Sequence, residues 1–279
     1  MIDLHTHTTA SDGRCTPPEL VARAAAARVT VLSVTDHDTV SACAVAAAAC
    51  RDAGIEFVAG IEVTAVLDGV DVHTLGYFID VSSPAFAAFL TEQRRTRIDR
   101  LREIVKRLAM HGLVLDADAI LEPAIDDSSI SVGRPWIARA LVEAGIVQTT
   151  NDAFNLWLTP GRPAFVPRAG APPEEVIDRI HSACGIASVA HPGKSGRDEW
   201  LPLWVERAGL DAIEAYHPNH DAETTRRYVA LAARLGVGVS GGSDYHAGQS
   251  HGGASIGSVS LPREAYEQIK ELHHKGHHS

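Results

Sequence analysis

The chain has 279 residues, a net charge of −10 and a hydrophobic content of 45%. This content is enough for the core of one large or two modest domains, and the negative charge argues against a broad basic surface for duplex DNA. No apolar run is long enough to cross a bilayer, and the first residues do not resemble a signal peptide. The four cysteines form no C-x-x-C pair, so we expect a cytoplasmic protein with reduced thiols.

The first 80 residues alternate between short apolar runs and helical patterns. Thr16 with Glu19 marks the start of a helix that continues to residue 28, and Gly54 ends an Ala-rich helix across 40–53. Short β-branched runs bounded by polar residues predict strands, at 2–7, 31–35, 56–63 and 70–78. This alternation is typical of a parallel βα sheet or barrel.

The alternation stops near Ser83-Pro84. From there to about residue 158 the pattern is helical, with a long amphipathic helix from Phe86 and shorter helices predicted at 116–122, 134–144 and 150–158. The alternation resumes at Glu174, with a helix there, another at 221–235, and strands at 186–190, 211–216, 237–242 and near 256–260. We therefore predict a discontinuous barrel domain, 1–82 and 174–279, interrupted by a helical insertion domain, 83–173.

The chain opens on Asp3-Leu4-His5-Thr6-His7, in which two histidines stand two residues apart on a predicted strand. A strand has a side-chain period of two, so His5 and His7 share one face. Similar groups follow other apolar runs, and they contain His37, Glu62 with His73, His191, and Asp244 with His246. Any one histidine of this kind is more often a hydrogen-bonded core or surface residue than a metal ligand. Their recurrence at strand ends instead predicts a site for Zn, Mn or Fe built from imidazole and carboxylate.

With these motifs in order, the chain resembles the PHP family of metal-dependent phosphoesterases. The matching motifs are Asp3–His7 with Ser11-Asp12-Gly13, Thr35-Asp36-His37-Asp38, Gly60-Ile61-Glu62, Ala190-His191-Pro192-Gly193-Lys194 and Ser243-Asp244-Tyr245-His246. The resemblance implies an α/β fold, a distorted seven-stranded βα barrel that carries three metals. The helical insertion resembles that of a branch acting on 3′,5′-bisphosphonucleotides and short RNA ends. That branch often has His after Gly-Arg-Pro, where this chain has Trp136.

The resemblance also implies a ligand set of nine residues. His5, His7, Glu62 and Asp244 would hold the first metal; Glu62, His73 and His191 the second; Asp12, His37 and His246 the third. Three divalent ions are expected, with Mn first and Zn or Fe as alternatives. We expect Asp3, Asp36 and Asp38 to accept hydrogen bonds from ligand imidazoles. His73 is the least specific member of the set, because other polar residues surround it.

The expected chemistry is hydrolysis of a nucleotide phosphate monoester by a metal-bound hydroxide. Glu62, His37, Asp244 and His246 would form the catalytic centre. Arg134, Lys194, Arg197 and Trp136 would bind the substrate. The alternative for each of the cations is a solvated surface residue, above all for Arg197. The substrate implied by the resemblance is a 3′,5′-bisphosphonucleotide that loses its 3′-phosphate, with short 5′-phosphorylated RNA as a further candidate. Neither a membrane nor an obligate protein partner is indicated.

Three other functions remain open at this point. Gly238-Val239-Ser240-Gly241-Gly242 fits the G-x-S-x-G pattern of serine hydrolases, although no helix is evident after it. A non-catalytic metal-binding module could share the barrel, and so could a histidinol-phosphate-type phosphatase or an amidase. The His-rich end of the chain, from His273 to His278, could bind metal by itself, and we place it outside the predicted site.

Overall fold

The computed structural model of the chain describes residues 1–247 and 254–276. Seven strands form one sheet in the order of the sequence. They are β1 (Ile2–Asp3), β2 (Val31–Val34), β3 (Glu56–Leu67), β4 (Val70–Tyr77), β5 (Ile186–Val189), β6 (Ala212–Tyr216) and β7 (Gly238–Gly241). The helices are α1 (Pro17–Ala26), α2 (Cys43–Ala53), α3 (Pro84–Met110), α4 (Ala117–Asp126), α5 (Arg134–Glu143), α6 (Thr150–Ala153), α7 (Pro173–Ser182), α8 (Trp200–Ala208), α9 (Ala222–Leu235) and α10 (Arg263–Gly276).

The sheet curves into a nearly closed barrel. The amide of Leu4 donates to the carbonyl of Gly241 at 3.2 Å, and Thr6 pairs in parallel with Tyr245, so the first and last strands meet. A continuous apolar core lies inside and around this barrel, with residues from all seven strands, among them Val31, Ile61 and Leu75. The expected seven-stranded βα barrel is confirmed.

One strand departs from the parallel pattern expected from the sequence. β4 runs antiparallel to both β3 and β5. Asp68 and Gly69 join β3 to β4, and both have positive φ, 51° and 76°. A two-residue Asp-Gly turn of this conformation makes a tight hairpin and leaves no chain for the crossover helix that a parallel pair needs.

The segment near 256–260, predicted as a last strand, is not a strand. Gly257 has φ of 70°, and the chain crosses β1 with isolated contacts, since Ile2 donates to Ser260 Oγ and Leu261 donates to the carbonyl of Ile2. These contacts do not extend into a ladder. α8 and α10 were not predicted either, although Tyr266 and Ile269, three residues apart in α10, are both fully buried.

The helical insertion has its own core. α3 has 27 residues and joins the two cores, because Phe86 and Leu90 pack with the barrel while Leu101, Ile104 and Leu108 pack with α4 and α5. The predicted helix at 150–158 divides into α6 and a π-helical turn, Phe154–Leu158. Residues of α3 and α5 lie over the mouth of the barrel, where they line the two cavities described below. In the residues that the structure describes, no helix is both long enough and apolar enough to cross a membrane.

Candidate metal centre

The nine residues predicted as metal ligands converge at one mouth of the barrel. Most of them lie just beyond a strand, as the ends of β1, β2, β5 and β7 carry His5, His37, His191 and Asp244. Glu62 and His73 lie within β3 and β4, whose hairpin extends past the mouth, so both side chains reach the same point. We call these nine residues the donor cluster, and they are His5, His7, Asp12, His37, Glu62, His73, His191, Asp244 and His246.

The ligand atoms form three groups whose members lie within 4.8 Å of one another. One group is the predicted first metal set. A second combines the predicted third set with His7, and the remaining one joins His37 to Glu62 and His73. His191 Nε2 is 3.1 Å from Glu62 Oε1, beside this last group. The groups differ from the predicted sets in that His7 and His37 are each shared between two groups, as is Glu62, and His191 belongs to none of the three.

Glu62 is the centre of the cluster and is 1% exposed. Its Oε1 atom lies 2.7 Å from His73 Nδ1 and 3.1 Å from His191 Nε2. Its Oε2 atom faces three more imidazoles, at 3.3 Å from His5 Nε2, 3.2 Å from His7 Nε2 and 3.1 Å from His37 Nδ1. One carboxylate therefore has a different set of imidazoles on each oxygen, which is the arrangement that a bridge between two cations needs.

Several of these buried polar atoms have no hydrogen-bond partner. They are His5 Nε2, both ring nitrogens of His7, His37 Nδ1 and Glu62 Oε2. A buried polar atom left unpaired costs about 1–3 kcal/mol, so unpaired atoms seldom gather in one place without a reason. Imidazole lone pairs and carboxylate oxygens that face one another can all be satisfied by a cation bound between them. This donor set fits divalent cations.

The electrostatics also favour a bound cation. Burial opposes the charged form of Glu62, but the surrounding imidazoles outweigh it and hold the pKa of this carboxyl well below its ordinary value. Burial lowers the pKa of His37 well below normal and, with the charge of Lys194, lowers that of His191 to about 3. Burial also opposes the charged forms of His5 and His7, but the neighbouring carboxylates outweigh it, raising the pKa of His5 well above normal and that of His7 to about 10, so a bound cation would have to displace protons from these two rings. Ionised carboxylate and neutral imidazole are the forms that bind metal.

Glu214 was missed from the sequence, although it is fully buried and contacts two of the predicted ligands. Its Oε1 lies 2.8 Å from His5 Nδ1, and its Oε2 accepts from the backbone amide of His191 at 2.7 Å. Because an ionised carboxylate only accepts, His5 Nδ1 carries the proton and His5 Nε2 is left with its lone pair toward Glu62. The available signal was a carboxylate inside the otherwise apolar run Ala212-Ile213-Glu214-Ala215.

The prediction that Asp3, Asp36 and Asp38 accept from ligand imidazoles is wrong. Asp3 binds Ser243 and the amide of Gly257, while Asp36 binds Thr8 and Ser11. These two carboxylates fix the loops that carry the ligands, because hydroxyl and amide donors are nearer to them than any ring nitrogen. Asp38 instead accepts from Arg97 Nε at 2.5 Å and Arg168 Nη2 at 2.7 Å.

Four arginines form a positive wall next to the donor cluster. We call Arg97, Arg100, Arg134 and Arg168 the arginine wall. They line a cavity of about 120 Å³ whose other wall includes His37 and His73. A second cavity, of about 230 Å³, is lined by His191, Lys194 and Arg197. The two cavities share Asp71, His73 and Arg134.

The residues predicted to bind substrate have different surroundings. Arg134 faces both cavities and lies 3.4 Å from Asp71. Lys194 Nζ is 3.0 Å from Asp244 Oδ2, which His217, another buried residue missed from the sequence, also approaches at 3.3 Å. Arg197 lines the second cavity and is half exposed beside Glu199.

Trp136, the fourth residue predicted to bind substrate, is not among the residues lining either cavity. Its indole N–H donates to the carbonyl of Ser11 at 3.0 Å, which ties α5 to the loop that carries Asp12. The position after Gly-Arg-Pro therefore joins the insertion to the barrel in this chain.

Ser240, the centre of the G-x-S-x-G pattern, does not form a nucleophile site in the described residues. It lies within β7, fully buried, and its hydroxyl is 2.8 Å from that of Ser188. The pattern continues as a strand into a loop, without the helix that follows a nucleophile of this type.

Known proteins resemble this chain over most of its length. The sequence profile described as the PHP domain matches residues 3–141. A 3′,5′-nucleoside bisphosphate phosphatase from Chromobacterium violaceum is 36% identical over 260 residues, which cover 92% of this chain and 90% of that protein. The 5′-3′ exoribonuclease Rnm of Escherichia coli K12 is 34% identical, with 88% and 84% covered. A crystal structure from Bifidobacterium adolescentis, described as a metal-dependent phosphoesterase, superposes with a TM-score of 0.87 at 31% identity, covering 96% and 94%.

Proposed function

The chain belongs to the PHP domain family of metal-dependent phosphoesterases, and from this premise we propose that it removes the 3′-phosphate from 3′,5′-bisphosphonucleotides. Two of the relatives are named for hydrolysis of nucleotide phosphoesters, and another is named for hydrolysis of a phosphoribosyl cyclic phosphate. The observation that carries the finer proposal is the position of the arginine wall, which lines the same cavity as His37 and His73. A substrate with two phosphates can place one at the donor cluster and the other among guanidinium groups.

The donor cluster fits divalent cations, as its unpaired ring nitrogens and carboxylate oxygen indicate. In our proposal the nine residues of the donor cluster hold the metals in the sets predicted from the sequence, with Mn as the first candidate. Bound divalent ions would activate water for attack on phosphorus and neutralise charge on the phosphoryl oxygens. Glu62 and Asp244 would bind these ions through their carboxylates. His37 and His246 would complete the catalytic centre.

Other residues of the chain bind and orient the substrate. Lys194 lies within 3.0 Å of Asp244, so its charge acts at the reacting phosphate. Arg134 acts at the second phosphate, because it lies between the two cavities and its guanidinium can hold two oxygens at once. Glu214 holds His5 in the tautomer that a metal requires.

A second candidate substrate is short 5′-phosphorylated RNA. Three exoribonucleases are among the relatives of similar identity, and the second cavity favours this candidate. That cavity shares His73 and Arg134 with the first cavity and is also lined by Lys194, Arg197 and Trp204. A cation and an aromatic ring in this second cavity could bind the next nucleotide by charge and stacking.

The experiment is a substrate panel with metal-loaded protein. It contains mononucleotides, 3′,5′-bisphosphonucleotides, histidinol phosphate and short 5′-phosphorylated RNA, and both released phosphate and released nucleotide are quantified. We expect the highest kcat/KM on a bisphosphonucleotide, with release of phosphate and a 5′-mononucleotide. Good turnover of histidinol phosphate with none of the bisphosphonucleotide would contradict the proposal.

Metal content is measured on the same preparation, in which His273, His274, His277 and His278 have been replaced by Gln because that tail could bind ions itself. We expect two or three divalent ions per chain and loss of activity on chelation. Fewer than one ion per chain, with activity unaffected by chelation, would contradict the metal centre. Two or three ions with no activity on the whole panel would favour the non-catalytic metal-binding module.

A further inference from the structure

β6 differs from the other six strands of the sheet in the residues at its end. Each of the others carries a residue of the donor cluster within it or just beyond it, whereas β6 and the segment after it carry none. β6 lies between β5 and β7 and runs parallel to both, so its end adjoins the loops that carry His191 and Asp244. The segment after β6 is His217-Pro218-Asn219-His220, and both of its histidines are buried. We call this segment the β6 loop.

His217 faces the ligand that follows β7. Its Nδ1 accepts from the backbone amide of Asn219 at 3.1 Å. An imidazole that accepts at one nitrogen carries its proton on the other, so Nε2 donates to Asp244 Oδ2, which lies 3.3 Å away. This hold on Oδ2 leaves Asp244 Oδ1 toward the Nε2 atoms of His5 and His7, at 3.4 Å from each. His217 therefore acts as a donor to a metal ligand and has no lone pair left for an ion.

His220 faces the turn that follows β5. Its Nδ1 lies 3.0 Å from the carbonyl oxygen of Ala215, which only accepts, so Nδ1 carries the proton. Its Nε2 accepts from the backbone amide of Gly193 at 3.3 Å. The contact is close, because a Cβ atom at Gly193 would lie 2.7 Å from Nε2. Backbone groups thus occupy both ring nitrogens, and His220 holds the turn that carries His191 without being a ligand itself.

The two ligands beside the β6 loop have an unfavourable backbone conformation. His191 has φ of 31° and Asp244 has φ of 52°, in the left-handed region that residues other than glycine seldom adopt. Such conformations persist only where surrounding contacts fix them. The β6 loop supplies contacts of this kind on both sides, one at the Asp244 carboxylate and one at Gly193, two residues after His191.

We propose that His217 and His220 are positioning residues, each of which holds in place a ligand of a different divalent ion. His217 fixes the carboxylate of Asp244, which belongs to the first predicted metal set. His220 fixes the turn that carries His191, which belongs to the second. This inference rests on the metal centre of the proposed function and extends it to residues that do not bind an ion themselves. The effects of the two histidines on metal binding are therefore separable.

The experiment measures metal affinity directly, on the protein whose tail histidines are replaced by Gln. Metal is removed by chelation, and Mn²⁺ is added back in competition with a fluorescent chelator, so affinities are obtained without turnover. We expect His217→Leu and His220→Leu each to weaken the binding of one ion by about 10- to 100-fold, and the double variant to weaken two. His111→Leu, at an exposed histidine after α3, is the matched control and should leave every affinity unchanged.

Conservative variants separate hydrogen bonding from packing. The amide nitrogen of Gln can donate to Asp244 in place of His217 Nε2, and its amide oxygen can accept from Gly193 in place of His220 Nε2. His217→Gln and His220→Gln should therefore recover most of the affinity that the Leu variants lose. Gln variants as weak as the Leu variants, or Leu variants in which all ions weaken together, would overturn the proposal.

A double-mutant cycle tests the close contact at Gly193. Gly193→Ala should weaken the same ion as His220→Leu, because its Cβ would meet the ring. It should cost little more in a His220→Ala background, where the ring is absent and Thr224 Cγ2, at 3.7 Å, leaves room for the methyl group. Losses that add in full would overturn the role of His220.

These measurements also separate the positioning role from the proposed function. Unchanged Mn²⁺ affinity in both Leu variants would overturn the positioning role even if the bisphosphonucleotide is hydrolysed. Two separable losses of affinity would support it even if the substrate panel shows no turnover. Melting temperatures identify any variant that is not folded, and His217→Ala or His220→Ala then takes the place of the Leu variant.

Discussion

The donor cluster and the arginine wall are both buried and polar, but they differ in how their polar atoms are satisfied. In the donor cluster, Glu62 stands opposite five rings, and although two of them form hydrogen bonds with its Oε1, the nitrogens of His5, His7 and His37 that face its Oε2 have none. In the wall, Arg97 uses its three guanidinium nitrogens on Asp38, the carbonyl of Val132 and Thr64. The donor cluster therefore needs cations to satisfy its buried polar atoms. In the arginine wall most polar atoms already have hydrogen-bond partners, and its positive charges outnumber the carboxylates that pair with them.

The two regions also come from different parts of the sequence. Strand ends and the β3–β4 hairpin supply the donor cluster, while α3, α5 and the segment before α7 supply the wall. Asp38 and Asp71 connect them, since each lies one or two residues from a cluster histidine and binds arginines of the wall. The difference indicates a division of tasks, in which the barrel holds the ions and the insertion holds the anionic substrate.

The largest expected effect is at the centre of the donor cluster. Glu62→Gln should lower kcat by roughly a thousandfold or more, because a neutral amide of similar volume bridges two cations poorly. Glu56→Gln is the matched control, since Glu56 begins the same strand but binds Tyr266 and Lys270. Circular dichroism should show native secondary structure in both variants. If Glu62→Gln keeps more than a tenth of the normal rate, Glu62 has a structural role.

The next prediction separates the wall from the cluster by substrate. Arg134→Ala should cost on the order of 2 to 5 kcal/mol in transition-state stabilisation for a 3′,5′-bisphosphonucleotide and less for a monophosphate. Lys194→Ala should reduce kcat/KM by similar factors for the two substrates, because Lys194 contacts Asp244 within the donor cluster. The ratio of kcat/KM values for the two substrates is the measurement. A ratio that changes equally in both variants would show that the division of tasks is wrong.

The donor cluster could be predicted from the sequence because its members fall in short motifs at the ends of apolar runs. His5 and His7 share a strand face, and Asp244 with His246 follows the last strand. Glu214 and His217 stand in no such pattern, and their importance depends on contacts across the barrel with His5 and Asp244. Contacts between residues this far apart in sequence depend on how the sheet closes, and the periodicity of the sequence does not predict that closure.

The arginine wall was predicted only in part for the same reason. Arg134 follows a glycine at a helix start, which is a recognisable anion position, but Arg97 and Arg100 look like ordinary polar positions of an amphipathic helix. They are buried because α3 lies across the mouth of the barrel. The barrel itself was predictable, whereas the antiparallel direction of β4 depended on the Asp68-Gly69 turn, a signal present in the sequence but not used.

A smaller effect is expected from the residue that positions a ligand. Glu214→Gln should weaken metal binding by about 10- to 100-fold, because the amide nitrogen meets a donor at either His5 Nδ1 or the amide of His191. Activity should therefore recover at high metal concentration, whereas Glu62→Gln should stay inactive. Metal titration monitored by activity and by direct binding provides the measurement, with the exposed Glu206→Gln as control. If the metal affinity is unchanged, Glu214 has only a structural role in the packing of β6.

The smallest effect should come from a histidine–carboxylate pair outside both regions. His181 Nε2 lies 2.7 Å from Asp211 Oδ2 near the opposite end of β6, and this hydrogen bond raises the pKa of His181. A raised pKa means that the pair stabilises the fold fully below the unfolded value of about 6.5 and loses this contribution as pH rises through the folded value. Because the His181 side chain is 35% exposed, solvent screening should keep the contribution under about 1 kcal/mol. Urea unfolding of the wild type and His181→Gln should then differ most at pH 5.5 and least at pH 8.5. If the difference in free energy of unfolding between the wild type and His181→Gln grew with pH, the pair would stabilise the charged form in the unfolded rather than the folded protein, contrary to this prediction. A difference well above about 1 kcal/mol would show that solvent does not weaken this partly exposed pair relative to the buried imidazoles of the donor cluster.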